Sequence, residues 1–141
     1  MNASRDGVVL KSLAVTAVIF GVLTVLSGGR ALFGGEEAAR AAGAIVSFVL
    51  WFNFAAGFAY VVCGLGLWQR KRWAAQLAVA IAATTALVFA AFGVHVLTGG
   101  AYEARTVAAM TLRTLVWGGV AWAAWRMIRH HRSDSRLSHS R

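Results

Sequence analysis

The chain has no proline, few charged residues and one cysteine, and each shortage excludes a class of protein. Only 13% of its 141 residues are charged and 59% are hydrophobic, so it lacks the charged shell and turn residues of a soluble domain. The single cysteine, Cys63, can form neither an intrachain disulfide nor a C-x-x-C redox pair. The composition therefore indicates an integral membrane protein.

The apolar residues come in four long blocks, each near or above the roughly 18–20 residues that cross about 30 Å of hydrocarbon. Together the blocks occupy almost the whole chain and leave no room for a globular domain. We predict an all-α fold, a compact bundle of four transmembrane helices followed by a basic, flexible tail at 129–141. The predicted helices cover approximately residues 8–29, 44–68, 73–97 and 106–128.

Basic residues lie unevenly between the blocks. Ten of them fall in the N-terminal segment, the 70–72 loop and the C-terminal end, against three in the other two loops. Because cytoplasmic loops collect Lys and Arg, the pattern predicts a multi-pass protein of the inner (plasma) membrane with both termini cytoplasmic. The net charge of +9 then points to anionic lipid headgroups rather than to nucleic acid. The residues expected to contact headgroups are Arg70, Lys71, Arg72, Arg129 and Arg132.

Small residues recur at helical spacing on the first two predicted helices. The first helix carries Ala14, Ala17, Gly21, Thr24 and Gly28 in steps of three and four. The second carries Asn53, Gly57, Tyr60 and Gly64 in the same rhythm. Such stripes let helix backbones approach closely in lipid, so we expect these faces to pack. On the third helix, Ala78 and Ala83 are expected to face lipid.

Polar residues concentrate in the half of the predicted bundle away from the 70–72 loop. On the fourth helix, Glu103, Thr106, Met110, Arg113 and Trp117 share one stripe, whereas Arg105 is expected to point to headgroups. Asn53 lies at a depth similar to that of Arg113, and His95 lies near the membrane boundary. An arginine inside the membrane is costly unless it pairs or its side chain reaches the surface.

Two interpretations of Arg113 remain open. It is either a structural group, which reaches the interface or locks helix register through Asn53, or the anchor of a ligand pocket. In the second case His95 would add a polar wall, with Trp51 and Phe54 in the apolar lining. The candidate ligand-binding or polar cluster is Asn53, Tyr60, His95, Glu103, Arg113 and Trp117.

No catalytic or metal-binding grouping is evident. Glu103 has no second intramembrane carboxylate with which to form a proton relay, and His, Cys and Asp are absent at zinc spacing. A single intramembrane His cannot provide two axial ligands, so no haem is expected. We therefore expect a non-enzymatic protein without a metal, for which quinone and lipid are the candidate ligands.

The run "FNFAAGFAYVVCGLGLWQRKRWAAQLAVAIA", residues 52–82, resembles the second-to-third helix hairpin of the DoxX-like bacterial membrane proteins. The likeness consists of a glycine-rich helix, a short basic turn and an alanine-rich helix. Asn53 stands where those proteins often carry an acidic residue, and no catalytic residue is transferred. The resemblance implies a four-helix inner-membrane protein tied to respiratory or quinone-linked systems or to partner assembly.

Two classes of function follow. The first and favoured one is an accessory or assembly subunit, which packs against a second copy or another membrane protein through Gly and Ala faces. The second is a protein that binds or transports a quinone, a lipid or an anion through the polar pocket. Convergence of Asn53, His95 and Arg113 on one cavity would favour the second.

The charge pattern makes a prediction about topology. A reporter fused after Arg141 or placed in the 70–72 loop should read cytoplasmic, because these segments carry the excess of basic residues. A reporter inserted near Glu36 or Gly100 should read external. Reversed signals in an alkaline phosphatase and green fluorescent protein fusion series would show that the orientation is wrong.

Overall fold

The computed structural model describes residues 3–44 and 46–137, and these residues form five helices without a strand. The helices are α1 (Ala3–Phe33), α2 (Gly35–Ala42), α3 (Ser47–Trp68), α4 (Arg72–Leu97) and α5 (Ala104–Leu137). All except α2 contain a segment long and apolar enough to cross a membrane. The predicted all-α fold with four helices of membrane-spanning length is therefore confirmed.

The outer surface of the four long helices is apolar, as a membrane environment requires. Large hydrophobic side chains such as Leu23, Leu87 and Leu115 are more than half exposed along the helices. Exposed apolar area of this extent is rare on a soluble monomer. The surface therefore agrees with the composition in indicating a small membrane protein.

The chain reverses direction at residues with positive φ rather than at prolines. After α3, Arg70 adopts a φ of +55°, while the Lys71 N–H donates to the Gly66 carbonyl at 2.9 Å. After α4, Gly99 has a φ of +86°, and the Gly100 N–H donates to the His95 carbonyl at 2.9 Å. Both are Schellman endings, which satisfy the last helix carbonyls and turn the chain sharply. They make α3–α4 and α4–α5 antiparallel hairpins.

Helix α2 was missed by the sequence analysis, which treated residues 30–43 as a loop. Its eight residues are too few and too polar for a membrane-spanning pattern, but they suit a short surface helix. Glu36 and Glu37 lie in the first turn and Arg40 in the last, where each charge is favoured by the helix dipole. Arg40 also donates to the Glu36 carboxylate at 2.8 Å. The helix lies between α1 and α3 in the chain.

The two ends of the bundle differ in character. The end that carries α2 and the α4–α5 turn is called the α2 end. The opposite end, called the basic end, carries the 69–71 turn and the start of α1, where Lys11 lies 5.6 Å from the centre of the Trp68 ring. The larger core cluster, which includes Cys63, Leu67 and Ala74, extends toward the basic end.

Helices α1 and α3 pack backbone against backbone. All nine small or polar residues of the two predicted stripes are buried, which confirms the predicted contact faces. A Cβ atom on Gly21 would lie 2.8 Å from the Gly57 carbonyl oxygen, and one on Gly64 would lie 2.8 Å from the Ala14 carbonyl oxygen. Larger residues would force the helices apart.

The four long helices form a ring with one loosely packed side. Helix α3 packs on α4 and α4 on α5, but α1 and α5 make few contacts with each other. At the centre the rings of Phe20, Tyr60 and Trp117, here called the aromatic layer, lie next to one another. The Tyr60–Trp117 ring centres are 4.5 Å apart, and both side chains are fully buried.

The expectation that Ala78 faces lipid is wrong. Ala78 is 0% exposed and belongs to the main core cluster with Ala74 and Ala75, whereas Ala83 is exposed as expected. Alanines occupy both faces of α4, so their presence alone does not distinguish a packed face from a lipid face. The residues that mark the buried face, Ile81 and Thr85, continue the three- and four-residue spacing from Ala78.

The predicted tail at 129–141 continues α5 as far as Leu137, and residues 138–141 lie outside the described residues. The side chains of Arg129 and Arg132, predicted to contact headgroups, also lie outside them. Arg70, Lys71 and Arg72 are exposed in the turn at the basic end, where headgroup contact stays a prediction.

The α1–α3 contact yields a test of the fold. Gly57→Leu should destabilise the protein by about 1–3 kcal/mol, because the added side chain meets the α1 backbone and Val25. Ala83→Leu, on the exposed face of α4, should change stability by less than about 0.5 kcal/mol. Unfolding followed by circular dichroism in mild detergent measures both, and equal losses would contradict the assigned faces.

Candidate functional site

A cavity of about 900 Å³ opens at the α2 end, on the side of the ring where α1 and α5 diverge. Helices α1, α3 and α5 form its walls and α2 lies at its mouth. The lining residues are Thr24, Ser27, Gly28, Arg30, Ala31, Gly34, Glu37, Ala38, Ala41, Val46, Val49, Leu50, Asn53, Arg105, Thr106, Ala109 and Arg113. The volume lies within the range of about 300–1,000 Å³ typical of small-molecule sites.

The cavity lining is strongly basic. Arg30, Arg105 and Arg113 contribute three guanidinium groups, and Glu37 contributes one carboxylate. Arg113 lies nine residues after the start of α5, which is about 14 Å along the helix. The cavity therefore carries positive charge from its mouth into the membrane-spanning part of the bundle.

Arg113 faces into the bundle and not into lipid, as the pocket interpretation predicts. It is partly buried, and its guanidinium carbon lies 5.9 Å from the centre of the Phe20 ring in the aromatic layer. Its Nε atom is buried and has no hydrogen-bond partner. A guanidinium cannot lose its charge in a protein, so this N–H remains an unpaired donor in a residue that lines the cavity.

Asn53 lines the same cavity from α3 and is 7% exposed. Its Nδ2 atom donates to the Met110 sulfur at 3.7 Å, while its Oδ1 atom is buried without a partner. The predicted lock, in which Arg113 donates to the Asn53 carbonyl, is therefore not formed. The two residues line one cavity, and each leaves one buried polar atom unpaired.

Tyr60 and Trp117 lie below Arg113 in the aromatic layer and do not line the cavity. The Trp117 indole N–H is buried without a hydrogen-bond partner. Thr85 on α4, which the sequence did not single out, is fully buried, and its hydroxyl lies beside the Tyr60 hydroxyl. Its only sequence signal is a hydroxyl within the alanine-rich buried face of α4.

His95 does not belong to the cavity. Its Nε2 atom pairs with the Ala101 carbonyl oxygen at 3.3 Å, and its ring meets Phe48 edge to face at 6.4 Å. The ring therefore covers the Schellman turn after α4. Of the three residues expected to converge, Asn53 and Arg113 do so and His95 does not.

Glu103 is also separate from Arg113. The sequence placed it on the Arg113 stripe, but α5 begins one residue later at Ala104, so helical spacing does not extend to Glu103. Its Oε1 atom instead accepts a hydrogen bond from the Ala44 N–H at 3.0 Å. It ties the start of α5 to the linker between α2 and α3.

Arg105 differs from the expectation that it points to headgroups. Its Nη2 atom donates to the Ala41 carbonyl oxygen of α2 at 2.6 Å, and its side chain lines the cavity. Arg105 and Glu103 thus hold the α2 segment from the same helix end. Both contacts join residues about sixty positions apart, which no local pattern indicates.

The apolar wall is also different from the one expected. Val46, Val49 and Leu50 line the cavity, whereas Trp51 and Phe54 do not. Phe54 packs against Gly28 and meets Trp51 edge to face at 6.3 Å. The aromatic residues of α3 therefore support α1 from outside the cavity.

In the part of the chain that the structure describes, no group of three or more His, Cys, Asp or Glu side chains comes together as metal ligands would. Cys63 is buried as a free thiol, and its sulfur donates to the Ala74 carbonyl at 3.3 Å. It belongs to the contact between α3 and α4. The cavity itself contains no cysteine or histidine.

With three arginines and one carboxylate, the cavity lining carries a net positive charge. Comparison with family models, with curated proteins and with solved structures finds no match for the chain. The cavity is therefore the feature of the molecule that bears on its function.

Proposed function

We propose that this membrane protein binds an anionic ligand in the cavity between α1, α3 and α5. The observation that carries the proposal is the buried, unpartnered Nε–H of Arg113 beside that cavity. A charged group about 14 Å inside a membrane protein is costly, and such residues generally mark ligand or ion sites.

Charge favours an anion over a neutral quinone. Three arginines line the cavity against the single carboxylate of Glu37. Attraction between opposite charges strengthens where protein and lipid replace water, so the deep position of Arg113 increases its effect on an anion. A neutral ligand would leave this excess positive charge uncompensated.

The proposed setting is a bacterial plasma membrane with both termini in the cytoplasm. In that orientation the α2 end faces outward, and the cavity lies in the outer half of the membrane. The basic end then contacts the anionic headgroups of the inner leaflet through Arg70, Lys71 and Arg72. The ligand reaches the cavity from the outer surface or from the outer leaflet.

One observation favours a second function, that of an accessory subunit. Gly118 and Gly119 on α5 are exposed, and nothing lies within 4 Å of a Cβ added at either position. Adjacent exposed glycines allow another helix to approach closely. This surface fits the accessory or assembly role predicted from the sequence, with a second copy or another membrane protein as the partner.

The anion-binding proposal is tested with two lipids of equal chain length. Phosphatidylmethanol, which is anionic, should be retained by the protein in native mass spectrometry more strongly than zwitterionic phosphatidylcholine. Arg113→Leu should reduce phosphatidylmethanol retention about 10-fold or more, because a charge-assisted hydrogen bond is lost. Arg113→Lys keeps the charge and should retain part of the binding.

Arg126→Gln is the matched control, because Arg126 lies on the same helix outside the cavity lining and contacts Trp122. It should bind both lipids as the unaltered protein does. Equal retention of the two lipids, or a preference that survives Arg113→Leu, would overturn the proposal. A copurified protein partner in the same spectra, combined with such a result, would support the accessory role.

A further inference from the structure

The site beside Arg113 contains an acceptor as well as a donor. Sulfur in a thioether accepts hydrogen bonds and cannot donate, so the contact with Met110 must be made by the amide nitrogen of Asn53. The free atom of Asn53 is therefore the carbonyl oxygen, and it is buried without a partner in a residue that lines the cavity.

A simple anion satisfies only half of this site. A carboxylate or a phosphodiester oxygen accepts hydrogen bonds and has none to donate. It would pair with the Arg113 Nε–H and leave the Asn53 carbonyl oxygen buried and unpaired. Sites with a built-in partner for a ligand hydroxyl reject analogues that lack it, because the site's own polar group is then left unpaired.

We infer that the ligand is an amphiphile whose headgroup combines an oxyanion with a hydroxyl group, as a phosphoglycerol headgroup does. The oxyanion pairs with Arg113, and the hydroxyl donates to the Oδ1 atom of Asn53. This inference rests on the proposed anion-binding function and adds the chemical class of the ligand.

The shape of the cavity favours a lipid source over a free solute. Because α1 and α5 make few contacts, the cavity lies on the side of the ring where two membrane helices diverge. A headgroup can enter there while its acyl chains stay in the bilayer. Val46, Val49 and Leu50 line the cavity, and they contact the part of the ligand next to its acyl chains. Arg30 and Arg105 hold positive charge at the mouth.

The test compares phosphatidylglycerol with phosphatidylmethanol, which has the same charge and no headgroup hydroxyl. Native mass spectrometry of the full chain in mild detergent should show about 3–10-fold stronger retention of phosphatidylglycerol, the factor expected for one hydrogen bond. Asn53→Leu should abolish this preference while phosphatidylmethanol binding through Arg113 persists. Persistent binding of phosphatidylmethanol also shows that the variant is folded. If the leucine variant does not fold, Asn53→Ala takes its place.

Each outcome separates this inference from the function on which it rests. Equal binding of the two anionic lipids, both lost in Arg113→Leu, would overturn the headgroup assignment and leave anion binding intact. Binding of neither lipid above phosphatidylcholine would overturn both. Competition by free glycerol phosphate at equal concentration would support recognition of an oxyanion together with a hydroxyl group. It would overturn entry of the ligand from the bilayer.

Discussion

The contact between the α1 and α3 backbones is the constraint on which the cavity depends. Gly21, Gly57 and Gly64 leave no space for side chains, so the α1 and α3 backbones lie in direct contact. Helix α5 is held on the other side of the ring by α4, and the aromatic layer fills the centre between α1, α3 and α5. Above that layer α1 and α5 make few contacts with each other, and the cavity lies between them.

The polar groups around the cavity divide into two sets with different roles. Glu103 accepts a hydrogen bond from the Ala44 N–H just after α2, and Arg105 donates to the Ala41 carbonyl oxygen of α2. Both side chains therefore hold α2 at the mouth of the cavity. Arg113 and Asn53 lie deeper, and each leaves a buried polar atom unpaired. Buried polar groups in folded proteins are normally hydrogen-bonded. Among the described residues with an unpaired buried polar atom, Arg113 and Asn53 are the two that line the cavity.

The sequence was sufficient for the features that follow from periodicity and hydropathy. The four long helices, the small-residue faces of α1 and α3, and the inward direction of Arg113 are all consequences of spacing along single helices. Features that depend on contacts between distant residues could not be predicted. Glu103 was assigned to the Arg113 cluster by helical spacing and His95 by depth, but Glu103 bonds the linker after α2 and His95 covers the turn after α4. Helix α2 was missed because an eight-residue helix with three charged residues carries no membrane signal.

The position of Arg113 bears on whether its role is structural or ligand-binding. An arginine that served only to anchor α5 at the interface would extend toward headgroups, where water satisfies all five of its N–H donors. Arg113 instead lies over Phe20 at the bottom of the cavity, with Asn53 on the facing wall. A register lock would join the two side chains directly, and the amide nitrogen of Asn53 is directed to Met110 instead. Under the proposed function, a ligand that carries both an acceptor and a donor would pair with the Arg113 N–H and the Asn53 carbonyl oxygen together.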